Sequence, residues 1–339
     1  MTLREYLLAP ASGIYRIGNL LHRLVATSGA REVPMPVISV GGISAGGSGK
    51  TPFVRALIEL LQDRYALIIL TRGYGREEPR DMIVELGRAK IPSPSEIGDE
   101  PTILARSMKG GIIGIGSDRG RLLHQIMQSR VLPPNSLVLL DDGFQHYRLA
   151  RDVDIVMVDE STASERFLLP AGYLREPPSA LDRADVMVVS GERGEAMARE
   201  FGREESFLLN VRSVNRSPVN WASGDELPAR TTTALLVTGV ARSERVVQGL
   251  SRCNVQVKKH CQFRDHHNYS EADVQQICKA LAEVGGEIIV TTEKDAVKLE
   301  KFRELKELLY VLPLHIEIAD EEKFATFIES AIQRTRKRI

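Results

Sequence analysis

The 339-residue chain has little cysteine, no net charge and no long hydrophobic run. Its three cysteines are odd in number and lack C-x-x-C spacing, which argues against a disulfide framework or a zinc site and fits a reducing cytoplasm. Lys and Arg together number 45, and so do Asp and Glu. Because no net charge draws the chain toward nucleic acid or an anionic membrane, such attraction has to come from local clusters, and we expect no nucleic-acid partner.

Nowhere do about 18 uncharged apolar residues follow one another, so the sequence predicts no membrane-spanning helix. Arginines spread through the first 25 residues distinguish this segment from a secretory signal peptide. Between residues 12 and 25 apolar residues recur at helical spacing, at Ile14, Tyr15, Ile17, Leu20, Leu21, Leu24 and Val25. Two interpretations are open: a helix packed on its own domain, or a helix that lies on a membrane surface.

Short β-branched runs then alternate with helical patterns, which is typical of a mostly parallel sheet with helices on both faces. The predicted strands are Val37–Val40, Ala66–Leu70, Ile112–Ile115, Leu137–Leu140, Ile155–Val158 and Val186–Val189. The predicted helices are Thr51–Leu61, Glu100–Met108, Arg119–Ser129 and Gly191–Phe201. Since such sheets bind ligands at the carboxyl ends of their strands, we expect the chemistry at that edge.

A polar, turn-rich stretch at Asn210–Arg230 predicts a linker or hairpin. The alternation resumes beyond it, with predicted strands at Ala234–Val237, Val255–Lys259, Ile288–Thr291 and Leu309–Leu312 and helices at Ser243–Leu250, Ser270–Val284 and Glu321–Arg334. We therefore predict an α/β protein with an N-terminal amphipathic helix (1–28), a core domain (29–210) and a smaller α/β domain (211–339).

The segment Val40–Pro52, VGGISAGGSGKTP, lies between a predicted strand and a predicted helix, as a P-loop does. Its departure from the generic pattern is Ser44, where a small residue suffices. Glycines in the loop let backbone N–H groups close on phosphate oxygens, while Lys50 reaches the β- and γ-phosphates and Thr51 places its hydroxyl on Mg²⁺. The predicted nucleotide-binding residues are Ser44, Ala45, Gly46, Gly47, Ser48, Gly49, Lys50 and Thr51. The fold class is thus P-loop NTPase-like.

A P-loop alone does not separate kinases, ATPases and GTPases. The guanine-recognition pattern Asn-Lys-x-Asp is missing, because in TTEKDAVK Glu293 precedes Lys294 and Asp295 follows it directly. The Asp-x-x-Gly element is also absent after Leu137–Leu140. Both absences argue against a GTPase.

Acidic residues follow the strand Leu137–Leu140, in DDGFQHYRL. Asp141 and Asp142 suit Mg²⁺ coordination at the carboxyl end of a strand beside the P-loop, and the alternative is a simple turn. Gln145 and His146 follow closely enough to border the same cleft.

Three further motifs allow both a structural and a catalytic interpretation. Asp99 and Glu100, in GDEP, either cap a helix or supply a general base in Asp99. Arg119, in IGSDRGR, either faces solvent or neutralises developing phosphate charge. FRDHHNY lacks the further spaced ligands of a metal site, so His266 either packs or hydrogen-bonds to a catalytic carboxylate.

Together with TRGYGR (Thr71–Arg76), LLPAGYLREP (Leu168–Pro177) and TEKDAVK (Thr292–Lys298), these segments closely resemble the tetraacyldisaccharide 4′-kinases of lipid A biosynthesis. The resemblance spans nearly the whole chain, to about Lys298, and that family's loop also carries a small hydroxyl residue at the position of Ser44. It implies transfer of the γ-phosphate of ATP to the 4′-hydroxyl of tetraacyldisaccharide 1-phosphate, which gives lipid IVA. Tyr173 departs from the pattern, since proline is commoner there.

The resemblance also implies roles for single residues. Lys50 and Thr51 would hold ATP and Mg²⁺, Asp141 or Asp142 would assist the metal, and Asp99 would be a general base tuned by His266. Arg119 would act in catalysis, and the other residues lining the site would be Tyr74, Glu100, Gln145, His146, Arg175 and Glu176. We expect the smaller domain to close and bring His266 toward Asp99.

A glycolipid acceptor favours the membrane-surface interpretation of the N-terminal helix, so the resemblance implies a peripheral protein at the cytoplasmic face of a Gram-negative inner membrane. We expect a monomer. The alternatives are a P-loop kinase for another sugar or nucleoside, and a nucleotide-dependent switch or metallochaperone. Acceptor-dependent ATP consumption separates the kinases from the switch.

Overall fold

The computed structural model describes residues 3–46, 49–74, 76, 80–87, 90–228, 230–240 and 243–337. Its strands are β1 (Val37–Gly42), β2 (Ala66–Thr71), β3 (Met82–Leu86), β4 (Gly111–Ile115), β5 (Ser136–Asp141), β6 (Val153–Asp159), β7 (Val186–Ser190), β8 (Phe207–Asn215), β9 (Val219–Asn220), β10 (Thr232–Thr238), β11 (Val255–Gln262), β12 (Ile288–Thr291), β13 (Leu309–Val311) and β14 (Leu314–Ile318). Its α-helices are α1 (Leu3–Ser28), α2 (Lys50–Leu61), α3 (Pro94–Ile97), α4 (Asp99–Ser107), α5 (Arg119–Ser129), α6 (Glu160–Ser164), α7 (Glu192–Phe201), α8 (Glu244–Leu250), α9 (Glu271–Glu283), α10 (Glu293–Leu299) and α11 (Glu321–Arg336).

Within the described residues the larger sheet has nine strands in the order β14-β8-β7-β6-β1-β5-β2-β4-β3. All neighbours pair in parallel except the two edge strands, β3 on β4 and β14 on β8. Alternate residues of each strand face opposite helix layers: Ile69 packs in the cluster of α2, α4 and α11, whereas Leu70 packs with α5. The predicted mostly parallel sheet with helices on both faces is confirmed.

The smaller sheet has the order β11-β10-β12-β13-β9, and its strands are parallel except for β9. Helices α9 and α10 cover one face, where Ile277 and Ala296 are buried, and Leu250 of α8 is buried on the other. Ser270 and Asp273 form a capping box at the start of α9. The predicted second, smaller α/β region is confirmed; we call residues 219–311 the smaller unit and the rest the larger unit.

The structure divides the chain differently from the predicted boundary at residue 210. Strand β8 runs through that boundary and pairs in parallel with β7, so the expected linker begins as sheet. Beyond the smaller unit, β14 pairs with β8, and α11 buries Phe324 and Ile328 in the core of the larger sheet. The prediction that 211–339 forms one separate domain is therefore wrong for residues 314–337, because their apolar side chains complete the first core.

Helix α1 begins at Leu3 and ends at Ser28, within the bounds 1–28 predicted for it, and is fastened to the larger unit along one side. Ser12 Oγ donates to Leu168 O at 2.9 Å, and Asn19 Nδ2 donates to Arg175 O at 2.8 Å. The large apolar side chains exposed along the helix are Leu7, Ile14, Ile17, Leu20, Leu21, Leu24 and Val25. Among the described residues, no helix combines the length and the apolar character that crossing a membrane requires.

Candidate active site

The P-loop segment joins β1 to α2, as predicted. Gly46 and Gly49 have φ of 126° and 79°, values that glycine adopts without strain, and Gly49 stands directly before the first turn of α2. Lys50 and Thr51 begin this helix, where N–H groups point toward a bound anion. Gly47 and Ser48 lie outside the described residues.

The LLPAGYLREP segment supports the loop from outside. Ala45 N donates to Tyr173 O at 2.7 Å, and Arg175 N donates to Ile43 O at 2.7 Å. Ser44 is buried, and its Oγ lies 2.9 Å from Thr162 Oγ1. A glycine at position 44 would lack this hydroxyl contact, which gives the departure from the generic pattern a structural reason.

Asp141 ends β5 directly beside β1 and is buried. It accepts a hydrogen bond from Thr71 Oγ1 at 2.8 Å. Burial, with the charge of Glu100 adding to it, raises the pKa of the Asp141 carboxyl to about 6. Burial therefore makes the ionised form of Asp141 less favourable than it is in water, and a bound cation would favour that form.

Asp142 has a left-handed backbone, with φ of 50°, and lies among cations. Arg175 Nη1 donates to Asp142 Oδ2 at 2.8 Å, and Lys50 Nζ lies 3.7 Å from Oδ1. Burial raises the pKa of this carboxyl, but Lys50, Arg175 and Arg119 outweigh burial and hold the pKa below its usual range.

The residues present fit a magnesium ion. Asp142 Oδ1 is buried and accepts no hydrogen bond from the described residues, which leaves its lone pairs for a cation. Within the same ranges no three His, Cys, Asp or Glu side chains are placed to hold a metal alone. That suits Mg²⁺, which proteins commonly hold through one or two carboxylates while phosphate oxygens and water supply the rest.

Arg119 is the first residue of α5 and is buried. Its Nη1 donates to Asp142 O at 3.2 Å, and its Nε has no acceptor among the described residues. Burial lowers the pKa of the Arg119 guanidinium, although Asp142 and Asp141 oppose the shift. A buried arginine with an open donor is suited to bind a phosphate oxygen.

Asp99 is the first residue of α4, and its side chain contacts the smaller unit. Gly98 precedes it with φ of 96°, and a Cβ there would lie 2.8 Å from Tyr74 O, so the turn requires glycine. His266 Nδ1 donates to Asp99 Oδ2 at 3.1 Å, and Lys298 Nζ lies 3.2 Å from the same oxygen. Asp99 is only 6% exposed.

Burial opposes ionisation of Asp99, but the hydrogen bond from His266 and the charge of Lys298 outweigh it and lower the pKa of Asp99. The same hydrogen bond raises the pKa of His266. The ring of Tyr74 meets that of His266 edge to face, with centroids 5.2 Å apart. The contact expected between His266 and Asp99 is therefore already formed in this structure.

The remaining predicted residues form a partly buried network beside Asp142. Gln145 Nε2 donates to Glu176 Oε1 and to Gly42 O, both at 2.9 Å, and Glu176 also accepts from Arg183 Nη2 at 2.8 Å. Glu176 thus has a cationic partner and holds the loop that carries Arg175. Burial, followed by the charge of Arg119, lowers the pKa of His146 to about 4, so its imidazole is neutral at pH 7.

Two lysines of α10 were not predicted as site residues. Lys298 pairs with Asp99, and Lys294 Nζ donates to Glu100 Oε1 at 2.5 Å. They are four residues apart in TEKDAVK and so lie on one face of the helix. That spacing could have identified the two lysines from the sequence if the segment had been recognised as a helix.

The structure thus gathers the predicted residues into two adjoining groups. The phosphate side comprises Lys50, Thr51, Arg119, Asp141, Asp142, Gln145, His146, Arg175 and Glu176. The base side comprises Tyr74, Asp99, Glu100 and His266. The groups meet where Thr71, the last residue of β2, contacts Asp141 and where the charge of Glu100 reaches that carboxylate.

A phosphate loop between strand and helix, with acidic residues ending the neighbouring strand, defines a P-loop protein. A buried carboxylate paired with histidine beside that loop is typical of an enzyme that passes the phosphoryl group to a hydroxyl acceptor. The sequence model of the family described as tetraacyldisaccharide-1-P 4′-kinase matches residues 4–333, and the chain belongs to this family.

Relatives and a solved structure agree. The tetraacyldisaccharide 4′-kinase of Aromatoleum aromaticum is 33% identical, over 95% of this chain and 93% of its own length. That of Geobacter metallireducens is 32% identical, over 98% and 95%. A crystal structure described as an "apo" form of LpxK from Aquifex aeolicus in complex with ATP has a TM-score of 0.78 and 30% identity, and it covers 98% of this chain and 100% of that one.

Proposed function

We propose that this chain transfers the γ-phosphate of ATP to the 4′-hydroxyl of tetraacyldisaccharide 1-phosphate and so forms lipid IVA in lipid A biosynthesis. Family membership across residues 4–333 supports the substrate. The observation that carries the reaction type is the contact of 3.1 Å between His266 and Asp99 beside the P-loop, because a switch that hydrolyses nucleotide has no need of a base for an acceptor hydroxyl.

In the proposed reaction, the loop N–H groups, Lys50 and Arg119 bind and neutralise the phosphates. The acceptor oxygen bonds to the γ-phosphorus while the bond from phosphorus to the ADP oxygen breaks. Asp99 accepts the hydroxyl proton, and His266 orients its carboxylate. Mg²⁺, when bound, neutralises further phosphate charge, and the residues that would hold it are Thr51, Asp141 and Asp142.

The first experiment is transfer of ³²P from γ-labelled ATP to tetraacyldisaccharide 1-phosphate in detergent. We expect label in the lipid, and a loss on the order of 10³-fold in Lys50→Ala, as for removal of a preorganised charge stabiliser. Lys109→Ala, an exposed lysine paired with Asp63, is the matched control. ATP consumption without labelled lipid would overturn the acceptor, and transfer by Lys50→Ala at the control rate would overturn the nucleotide site.

We further propose that α1 rests on the cytoplasmic face of the bacterial inner membrane and that the protein acts as a peripheral monomer. The exposed apolar row supports this, since Ile14 is 75% exposed and Val25 is 74% exposed on a helix whose other side is fastened by Ser12 and Asn19. Burying several such side chains contributes a few kcal/mol at about 25 cal/mol per Å².

Vesicle flotation tests this placement. Removing residues 1–25 should release the protein, but it also deletes the Ser12 and Asn19 contacts, so Ile14→Ser with Ile17→Ser and Leu21→Ser is the sharper variant. We expect that triple variant to stay in solution. Val131→Ser, which changes a side chain that is 98% exposed elsewhere, should float like the parent. Full vesicle binding by the triple variant would refute the placement.

A further inference from the structure

Lys298 is a buried cation that the proposed reaction has not yet used. It lies in α10 and is 6% exposed, whereas lysine is almost never fully buried without a partner. Its Nζ lies 3.2 Å from Asp99 Oδ2 and 3.8 Å from Asp295 Oδ1. The ammonium has no well-aligned hydrogen-bond acceptor among the described residues, so it acts on both carboxylates mainly through its charge.

Asp295 does not require this lysine. Its carboxylate accepts hydrogen bonds from Gly239 N at 3.0 Å, Tyr269 Oη at 3.0 Å and Thr292 Oγ1 at 2.7 Å. Three such donors stabilise an ionised carboxylate by themselves. Asp99, in contrast, has one hydrogen-bond donor in the described structure, His266, so the charge of Lys298 matters most there.

Both partners of Asp99 lie on the same oxygen. His266 Nδ1 donates to Oδ2, Lys298 Nζ makes its contact of 3.2 Å with the same oxygen, and no hydrogen bond from the described residues reaches Oδ1. A carboxylate held through one oxygen keeps the lone pairs of the other for an incoming proton. The smaller unit therefore determines which oxygen of Asp99 is free.

We propose that Lys298 is a positioning residue for phosphoryl transfer: with His266 it occupies Oδ2 of Asp99 and leaves Oδ1 as the oxygen that accepts the acceptor's proton. This inference rests on the proposed function, because it assigns a geometry to the base of that reaction. The two partners differ in kind, since His266 supplies a directed hydrogen bond and Lys298 an ammonium charge.

Ion pairs across the contact between units fix the helix that carries Lys298. Arg55 Nη1 of α2 donates to both oxygens of Glu293 at 2.6 Å, and Arg106 Nη2 of α4 donates to Glu300 Oε1 at 2.5 Å. These pairs lie near the two ends of α10, and they hold the helix in the position that places Lys298 beside Asp99. Hydrogen bonds between ionised groups of this kind are about twice as strong as those between neutral groups.

The charges facing Asp99 come from several elements. They are Lys298, Lys294 and Asp295 from α10, His266 and Asp265 from the loop after β11, and Glu100 beside Asp99 on α4. Lys298 is the lysine in contact with Asp99, so its removal should raise the pKa of Asp99. Because Asp99 must be ionised to accept a proton, the fall in activity at the acid side of the pH–rate profile (the acid limb) should then begin at a higher pH.

The test compares Lys298→Met, Lys298→Arg and the control Lys259→Met in the labelled lipid-transfer assay across pH. For Lys298→Met we expect kcat about tenfold lower near neutral pH, because the carboxylate of Asp99 is no longer held by both partners, with an unchanged KM for ATP and an acid limb moved to higher pH. Lys298→Arg, which keeps the charge, should return the acid limb to its position in the parent. Lys259→Met breaks an exposed pair with Glu283 within the smaller unit and should leave the limb where it is.

A double-mutant cycle separates positioning from a structural role. If Lys298 acts through Asp99, adding Lys298→Met to Asp99→Asn should cost nothing beyond the single Asp99 variant. The inference would be overturned if the losses from Lys298→Met and Asp99→Asn multiply in the double variant. It would also be overturned if the acid limb does not move in a folded Lys298→Met protein.

Two further results keep the outcomes distinct. Should Lys298→Met fail to fold, Lys298→Arg carries the test, and a moved limb in that variant would contradict the charge argument. If the parent chain does not label the lipid, the proposed function fails. A ¹³C carboxyl titration of Asp99, assigned with Asp99→Asn, then still decides the inference, because only the proposed contact predicts a raised pKa in Lys298→Met.

Discussion

The phosphate side and the base side of this site are assembled in different ways. On the phosphate side, Lys50, Asp141 and Arg119 all belong to the larger unit and lie where neighbouring parallel strands or their helices begin and end. On the base side, Asp99 comes from the larger unit, whereas His266 lies 167 residues further along the chain, in the smaller unit. The first can form within one core, and the second exists only where two units are in contact.

This difference separates binding from transfer. A change in the contact between the units should weaken the base while leaving the nucleotide site intact, and kcat should fall with KM for ATP unchanged. A change on the phosphate side should affect both quantities. Three predictions follow, from the largest effect to the smallest: the first and the last test that separation through kinetics, and the second tests the electrostatics of the phosphate side through stability.

Asp99→Ala removes the base and its link to the smaller unit. We expect kcat for lipid phosphorylation to fall on the order of 10²-fold or more, while binding of a fluorescent ATP analogue stays as in the parent. Asp63→Ala, which removes an exposed acid of the larger unit, is the control and should retain full turnover. Near-normal turnover in Asp99→Ala would contradict the assignment of Asp99 as the general base.

Asp141 and Asp142 are adjacent, yet their substitution should change stability in opposite directions. Burial raises the pKa of Asp141 from 3.8 to about 6, so its ionised form costs the free protein stability. Asp141→Asn removes that cost: the gain, up to about 3 kcal/mol for two pKa units, is full above about pH 6 and absent below about pH 4.

For Asp142 the sign is reversed. The pKa of Asp142 lies below the usual value because Lys50 and Arg175 outweigh burial. Its charge therefore stabilises the folded protein fully at pH values above the pKa of the unfolded state. This stabilisation is lost as the pH falls through the pKa of the folded state. Asp142→Asn should therefore lower the Tm at pH 7. Thermal unfolding of both variants without nucleotide or metal is the measurement, and Tm shifts of the same sign would contradict the electrostatic account.

Arg55→Met tests the contact between the units at the point nearest the P-loop helix. It removes the ion pair in which Nη1 contacts both oxygens of Glu293, so we expect a loss of about 1 kcal/mol in stability and a few-fold lower kcat with KM for ATP unchanged. Arg199→Met breaks an exposed pair within α7, worth under about 0.5 kcal/mol, and is the matched control. Identical kinetics in the two variants would mean that docking does not limit the base.

The same contrast explains what the sequence could predict. Strands β1, β2, β4, β5, β6 and β7 are central and buried, so their apolar runs identified them. Strand β8 is a partly exposed strand that contains Asn210, Arg212 and Ser213, which read as a linker. Strand β14 owes its conformation to pairing with β8, a partner that no local pattern reveals.

The residues of the candidate site also differ in how far the sequence could predict them. Loop residues such as Lys50 are recognisable because strand, glycines and helix follow one another in the chain. Lys298 is not, because a charged residue in a seven-residue helix has the pattern of a solvated surface. Its burial depends on Asp99 and on a contact between distant segments, so only the folded structure reveals it.

The return of the chain to the larger sheet has a mechanical consequence. The backbone passes to the smaller unit between β8 and β9 and returns between β13 and β14. These two crossings are adjacent, because Leu314 pairs with Asn215 and Arg216 N donates to Pro313 O at 3.3 Å. A unit tethered by two neighbouring strands cannot swivel as it could on one. We therefore expect relative motion of the two units to be mainly bending about these crossings, and such bending would change the distance from His266 and Lys298 to Asp99.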